Sequence, residues 1–372
     1  MPKPNVIVGL IQAIEPFAVG GAPPSAGGGE ADVVPVPGTR TIRFADQDPV
    51  LLVPGASESA ADLCVIELLH KIRKPAFVEI NDKRVITRAL APKVTTVTGI
   101  ESDGEGWFHV RLASSATRHM IPHETGHDRE MLGLLQAAAK EGTTLRVTAG
   151  PDDGVILDVH PDTPDRSVPV ADITPEDQVI AGVSLVSEAR AREFIGKHFK
   201  PNMCHLPRVN GGCMPFQYPD DFCWAVAQRI TEWLAAEKDR FVAGKVWLFG
   251  DLQVDTPNKE DCQQKWDFHV ASFVRRSELH DDLLVFDPVV SLTDAIPVAD
   301  WRKKVRGEQA ERQITEARVY RKGKSDAGTF VHDGQVDDDL TMMRCALRRR
   351  AAGKVAPPPF DHCLVGHSLV RM

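Results

Sequence analysis

Seven cysteines in 372 residues are too few for a disulfide scaffold, and an odd count leaves at least one thiol over. A free thiol is either inert core or chemistry. Cys223 has the setting for chemistry. It follows Asp220-Asp221-Phe222 and opens a run in which Ala227, Ile230, Trp233 and Leu234 recur at helical spacing. The spacing predicts a helix that starts at or near Cys223, with Asp220 or Asp221 as its N-cap. A thiol placed there feels the positive end of the helix dipole, which favours thiolate, and the unpaired N–H groups can cradle an oxyanion. Downstream, Trp266–Val274 and Leu283–Pro288 are rich in strand formers. A hairpin centred between Glu278 and Leu279 puts His269 opposite Pro288, one residue from Asp287. Cys223, His269 and Asp287 then supply a nucleophile, a general base and acid, and an orienting anion.

The surrounding elements are those that must hold these three groups. Residues 1–45 read as a flexible Gly/Pro/Ala-rich lead-in, with order beginning near Ala60. Residues 46–160 read as a small α+β domain. Its helix over Ala60–Ile72 is followed by short strands at Ala76–Ile80, Val85–Ala89, Thr95–Thr98 and Trp107–Leu112. A helix at Asp128–Lys140 ends at Gly142, and strands follow at Thr144–Ala149 and Val155–Val159. Residues 161–182, rich in proline and acid, read as a linker. Residues 183–355 carry most of the tryptophan and cysteine and form the second domain, ahead of a tail at 356–372.

Composition excludes several classes. Net charge is -8, so the counterion-release term that drives nucleic-acid binding is missing. No run approaches the roughly 20 apolar residues of a membrane span. The N-terminus is a poor signal peptide, which with the modest cysteine count points to a cytoplasmic protein. His123-Glu124-Thr125-Gly126-His127 fits the zinc-protease pattern, in which two histidines share a helix face. Pro122 before it and Gly126 inside it fit a solvated helix entrance better. Cys204-His205 with Cys213 lacks metal-ligand spacing. Arg348-Arg349-Arg350 reads as a solvated patch, and the tryptophans as core. Trp224 and Trp266 are the two that suit a substrate groove.

Order and context add to this. Cys213-Met214-Pro215-Phe216-Gln217-Tyr218-Pro219-Asp220-Asp221-Phe222-Cys223-Trp224-Ala225-Val226-Ala227 resembles the nucleophile region of bacterial protein-glutaminases, Cys-x-x-Phe-x-Tyr-Pro-x-Asp-Gly-Cys-Tyr-Ala-x-Ala. The likeness continues through Phe249-Gly250-Asp251-Leu252, Trp266-x-x-His269-Val270-Ala271, Asp287-Pro288, Pro297-Val298 and Trp301-Arg302. Met131–Ala138, Gly154 and the strand after it are similar to that family's pro-region. The resemblance implies a papain-like α+β catalytic domain behind a pro-region-like domain. It implies hydrolysis of glutamine side-chain amides in peptides or proteins by Cys223, His269 and Asp287, with no cofactor and no metal. Tyr218, Phe222, Trp224 and Trp266 would meet the substrate, and an activating protease would be a partner. By the same likeness, Ala113–Ala116 would lie in the groove near Cys223, and Cys213 could pair with Cys262, although a reducing cytoplasm would keep thiols free. Phe222, Val226 and Gln228 depart from the family's Gly, Arg and His, which bears on substrate preference. Two other readings fit the same residues: a cysteine acyltransferase or peptidase tailoring a peptide natural product, and a non-enzymatic binding module on a retired protease-like fold.

Overall fold

The computed structural model describes residues 5–17, 36–45, 47–54, 59–162, 170–206, 209, 211–322, 327–330, 334–352 and 358–363. The first unit is a sheet with one helix. Strands β1 (Asn5–Pro16), β2 (Arg40–Phe44) and β3 (Val50–Leu52) precede helix α1 (Ser59–Lys71), and β4 (Pro75–Ile80) and β5 (Ile86–Leu90) follow it. The sheet order is β3-β2-β1-β4-β5. Helix α1 turns Val65, Ile66 and Leu69 onto this sheet, where they meet Ile7, Ile42, Val50 and Val78. This overturns the expected lead-in over 1–45. Asn5–Pro16 is the central strand, paired with both β2 and β4. The Gly/Pro/Ala bias belongs to the residues after it, and averaging over the window hid the strand. The middle of that expected lead-in, residues 18–35, lies outside the described residues.

The second unit contains β6 (Lys93–Ser102), β7 (Trp107–Leu112), β8 (His119–Pro122), α2 (Gly126–Glu141), β9 (Thr144–Ala149) and β10 (Ile156–Pro161). Its sheet runs β10-β9-β6-β7-β8. Met131, Leu132, Leu135 and Ala138 form the apolar stripe of α2 against that sheet. Thr125 and Asp128 make a capping box at its start, and Gly142, in the left-handed region, ends it.

The third unit begins with β11 (Val170–Asp172), α3 (Glu176–Gly182), α4 (Glu188–Asn202) and α5 (Cys223–Ala236). Strands β12 (Gly244–Asp255), β13 (Gln263–Arg275), β14 (Leu283–Phe286) and β15 (Ile296–Pro297) then lead to α6 (Val298–Lys304). Strands β16 (Glu311–Glu316), β17 (Val319–Lys322) and β18 (Ala327–Phe330) precede the last helix, α7 (Gln335–Ala352). The main sheet is antiparallel, β15-β14-β13-β12-β16, with α5 packed on β13. Residues 268–274 of β13 are buried without a break, as suits an inner strand covered on both faces. The expected linker 161–182 is partly structured here, because β11 pairs with β18 and α3 packs beside β16. Residues 163–169 of that stretch lie outside the described residues.

There are three disulfides: Cys64–Cys345 and Cys262–Cys363 join distant parts, and Cys204–Cys213 closes a local loop. Cys213 therefore pairs with its near neighbour rather than with Cys262, and six thiols expected to be free are bonded. Residues 358–363 of the expected tail are tied in, since Cys363 reaches Cys262 and Phe360 N donates to Pro257 O at 2.7 Å; the rest of 356–372 lies outside the described residues. No helix is long and apolar enough to cross a membrane among the described residues.

Candidate active site

Helix α5 opens at Cys223, the free cysteine among the described residues. Its cap is Phe222 and not an aspartate. Phe222 sits in the left-handed region at φ 62°, and no side chain caps the helix. Asp221 is turned elsewhere, as set out below. The thiol is 9% exposed, and burial, reinforced by the charges of Asp221 and Asp287, pushes its pKa well up. The N–H groups of Val270 and Trp224 work the other way, but do not prevail. The helix-start argument for a lowered pKa thus meets a stronger opposing effect in this covered state.

The hairpin of β13 and β14 forms with Ser272 opposite Phe286 and Val274 opposite Leu284. That register lies one residue from the expected one, and β14 ends at Phe286, so Asp287 turns in just past the strand. His269 Nε2 lies 2.8 Å from Asp287 Oδ2. Because a carboxylate only accepts, Nε2 carries the proton and Nδ1 the lone pair. Nδ1 is buried without a partner. Trp266 stacks on the imidazole with centroids 4.1 Å apart and planes 7° apart. Trp301 Nε1 donates to Asp287 Oδ2 at 2.8 Å, and Val289 N donates to Asp287 Oδ1 at 3.0 Å. Cys223, His269 and Asp287 line one cavity of about 20 Å³, room for a single water.

The second unit packs against residues around this cavity. Ala116, fully buried, belongs to the same apolar cluster as Cys223 and Trp266. Its N–H donates to Asp221 Oδ1 at 3.0 Å and its carbonyl accepts from Asp267 N at 2.9 Å. Thr117 forms an antiparallel bridge with Trp266, and its hydroxyl donates to Asp220 O. Ser115 Oγ donates to Asp221 Oδ2 at 2.9 Å, and Lys93 Nζ donates to the same oxygen. Beneath them His119 Nε2 meets Ser115 Oγ at 2.8 Å. Burial, with Lys93 nearby, pushes the His119 pKa down to about 4. For Asp221, burial raises the pKa, but Lys93 and the Ala116 and Phe222 N–H groups together hold it below the usual value.

Residues 191–305 match the model of a family described as glutaminase. The likeness to that family lies in this segment. Cys223, His269, Asp287 and Trp301 all lie inside that segment, whereas Lys93, Ser115, Ala116 and His119 lie outside it. A structure titled "Crystal structure of pro- protein-glutaminase" shares the fold, with a TM-score of 0.51 at 20% identity over 66% of this chain and 89% of its own. Protein-glutaminase from Chryseobacterium proteolyticum aligns over 41% of this chain and 82% of its own at 20% identity, with a TM-score of 0.34. No curated protein sequence matched the chain.

Of the residues expected to meet substrate, Tyr218 lines the small cavity and Trp266 stacks on His269. Trp224 is instead core, 1% exposed, with Nε1 bonded to Asp339 and Arg321 over its ring at 4.9 Å. Phe222 faces a separate, larger cleft, near Lys93. The Trp301–Asp287 bond was not foreseen, although Trp301-Arg302 stood in the matching pattern. Lys93 and His119 carry no sequence signal at all; tertiary packing brings them to Ser115, which lies in the Ala113–Ala116 stretch that the resemblance placed near Cys223. In the zinc-like pattern, Thr125 is the helix cap, so His123 precedes α2 and the two histidines share no helix face. Cys204 and Cys213 are bonded to each other rather than open to a metal. Donor atoms of Cys262, His362 and Cys363 lie within 4.8 Å of one another, but the two sulfurs are joined.

Proposed function

We propose that this chain is a cysteine-dependent amidohydrolase that converts glutamine side chains of peptides or proteins to glutamate, releasing ammonia. The observation that carries the reading is the His269–Asp287 pair, which lines the same cavity as Cys223 and leaves His269 Nδ1 without a partner. Asp287, steadied by Trp301 and Val289, fixes the tautomer. His269 Nδ1 takes the thiol proton, and the thiolate attacks the carboxamide carbon. The C–N bond then breaks as His269 returns the proton to departing ammonia, leaving a γ-glutamyl thioester. Water, deprotonated by His269, cleaves the thioester and restores the thiol. The nucleophile helix on an antiparallel sheet that bears the base fits a papain-like arrangement, and no step needs a cofactor.

The second unit reads as an inhibitor of this site. Residues 115–117 bond to Asp220 and Asp221 on one side and to Trp266 and Asp267 on the other. The contacts to Trp266 and Asp267 are main chain to main chain, the kind an extended peptide substrate would make beside Cys223. Three cysteine pairs fit a compartment that keeps disulfides, in place of the cytoplasm expected from sequence. The test compares ammonia release from a glutamine-containing peptide by the chain cut between Asp162 and Val170 and reduced, by the uncut chain, and by Cys223→Ala. Release by the first alone supports the reading. Release by Cys223→Ala, or by none of the three, contradicts it.

A further inference from the structure

Cys64 in α1 is bonded to Cys345 in α7 across 281 positions. A single cut anywhere between them leaves one covalent molecule. We propose that this bond is a second lock on the site: after a cut in 163–169 it keeps the inhibitory segment seated, and reduction by a dithiol releases it. The proposal rests on the autoinhibition reading above and concerns its regulation.

The path from the bond to the site is short. Asp62, two residues from Cys64, accepts from Ala89 N at 2.7 Å and from Arg349 of α7, and Arg349 also donates to Ala89 O at 2.9 Å. Four residues beyond Ala89, Lys93 grips Asp221 next to Cys223. A cut at 163–169 lies on the far side of β6–β10 and leaves this arm intact. A short tether holds its end at a local concentration of about millimolar, adding about 100-fold or more to weak docking. The segment therefore stays in place even when cutting has removed its other connection.

The bond also has a feature that favours opening. Arg348 Nη1 lies 3.1 Å from Cys64 Sγ, and its other nitrogens are pinned to Val209 O. A guanidinium there stabilises a Cys64 thiolate. In the exchange, a reductant thiolate bonds to one of the two sulfurs and expels the other. Its second thiol then closes to a disulfide, so two electrons and two protons pass to Cys64 and Cys345. Both cysteines are buried, at 8% and 1% exposure, so access needs α1 and α7 to part locally, which keeps casual thiols out.

The experiment places a specific protease site in 163–169 and follows alkylation of the Cys223 peptide by iodoacetamide alongside ammonia release. Cutting alone should leave alkylation within about twofold of the uncut chain, and cutting with reduction should raise it about 100-fold. A chain carrying Cys64→Ser and Cys345→Ser should reach the raised rate on cutting alone, which separates this bond from the other two disulfides. The reductant comparison on the unsubstituted chain stands even where the double variant folds poorly. Full reactivity of the cut, unreduced chain overturns the lock, as does a cut double variant as slow as the cut parent. Fast alkylation without ammonia keeps the lock and refutes the deamidation reading instead.

Discussion

Replacing Asp221 with Asn should unseat the inhibitory segment without a cut. The carboxylate is 3% exposed and accepts from Ala116 N, Ser115 Oγ and Lys93 Nζ. An asparagine keeps the shape and can still accept from Ala116 N. Its amide NH₂ then faces two donors, and the charge that held Lys93 is gone. Removing one partner of a buried pair costs about 3–5 kcal/mol, and the lower end applies because Lys93 is 28% exposed and can turn to water. About 3 kcal/mol is about 100-fold in the open population. The same substitution removes a negative charge that raises the Cys223 pKa, so the exposed thiol also ionises more readily. The assay is iodoacetamide alkylation of Cys223 in the intact chain, well below its melting temperature, with circular dichroism to confirm the fold. Ser115→Ala removes one hydrogen bond to a charged group, about 1.5 kcal/mol, so it should accelerate alkylation about tenfold. An Asp221→Asn rate equal to the parent, or below that of Ser115→Ala, would refute the reasoning.

His119 should make folding sensitive to acid. Its pKa falls from 6.5 to about 4 on folding, so the unfolded state binds the proton first. The stabilisation is complete above pH 6.5, is lost progressively as pH falls from 6.5 towards 4, and levels off below that, about 3 kcal/mol in all. Melting temperatures of the parent and His119→Gln should converge over that range; parallel curves would contradict this. Trp301→Phe removes the indole N–H from Asp287 while Val289 N and His269 remain, so kcat on a glutamine peptide should fall about tenfold with KM little changed. A change in KM alone would argue against a positioning role. Phe222 holds φ 62°, so Phe222→Gly should be about 1 kcal/mol more stable than Phe222→Ala in denaturant unfolding. The reverse order would show that the left-handed conformation is not what limits this position.

What was legible in the sequence was local. Helix α5 announced itself through Ala227, Ile230 and Leu234, and the strand formers of β13 and β14 placed His269 near Asp287. Strand β1 was lost because glycine and proline after it dominated the composition of the window. Cysteine pairing was not legible, since Cys64 meets Cys345 only once α1 and α7 pack together. The capping of Cys223 was misjudged for a related reason. Asp221 looked like a cap to its own helix, but a fully buried segment from over 100 positions earlier offered it better donors. Long-range competition of this kind leaves no mark on residue spacing.

The central claim is hydrolysis of glutamine amides at Cys223. Its most direct measurement incubates the cut and reduced chain with an unfolded glutamine-containing protein in heavy-oxygen water and reads the substrate by peptide mass spectrometry. The account predicts glutamate in place of glutamine, one heavy oxygen in each new carboxylate, equal ammonia, and none of this with Cys223→Ala. Unmodified glutamine from a chain whose Cys223 alkylates readily would contradict it.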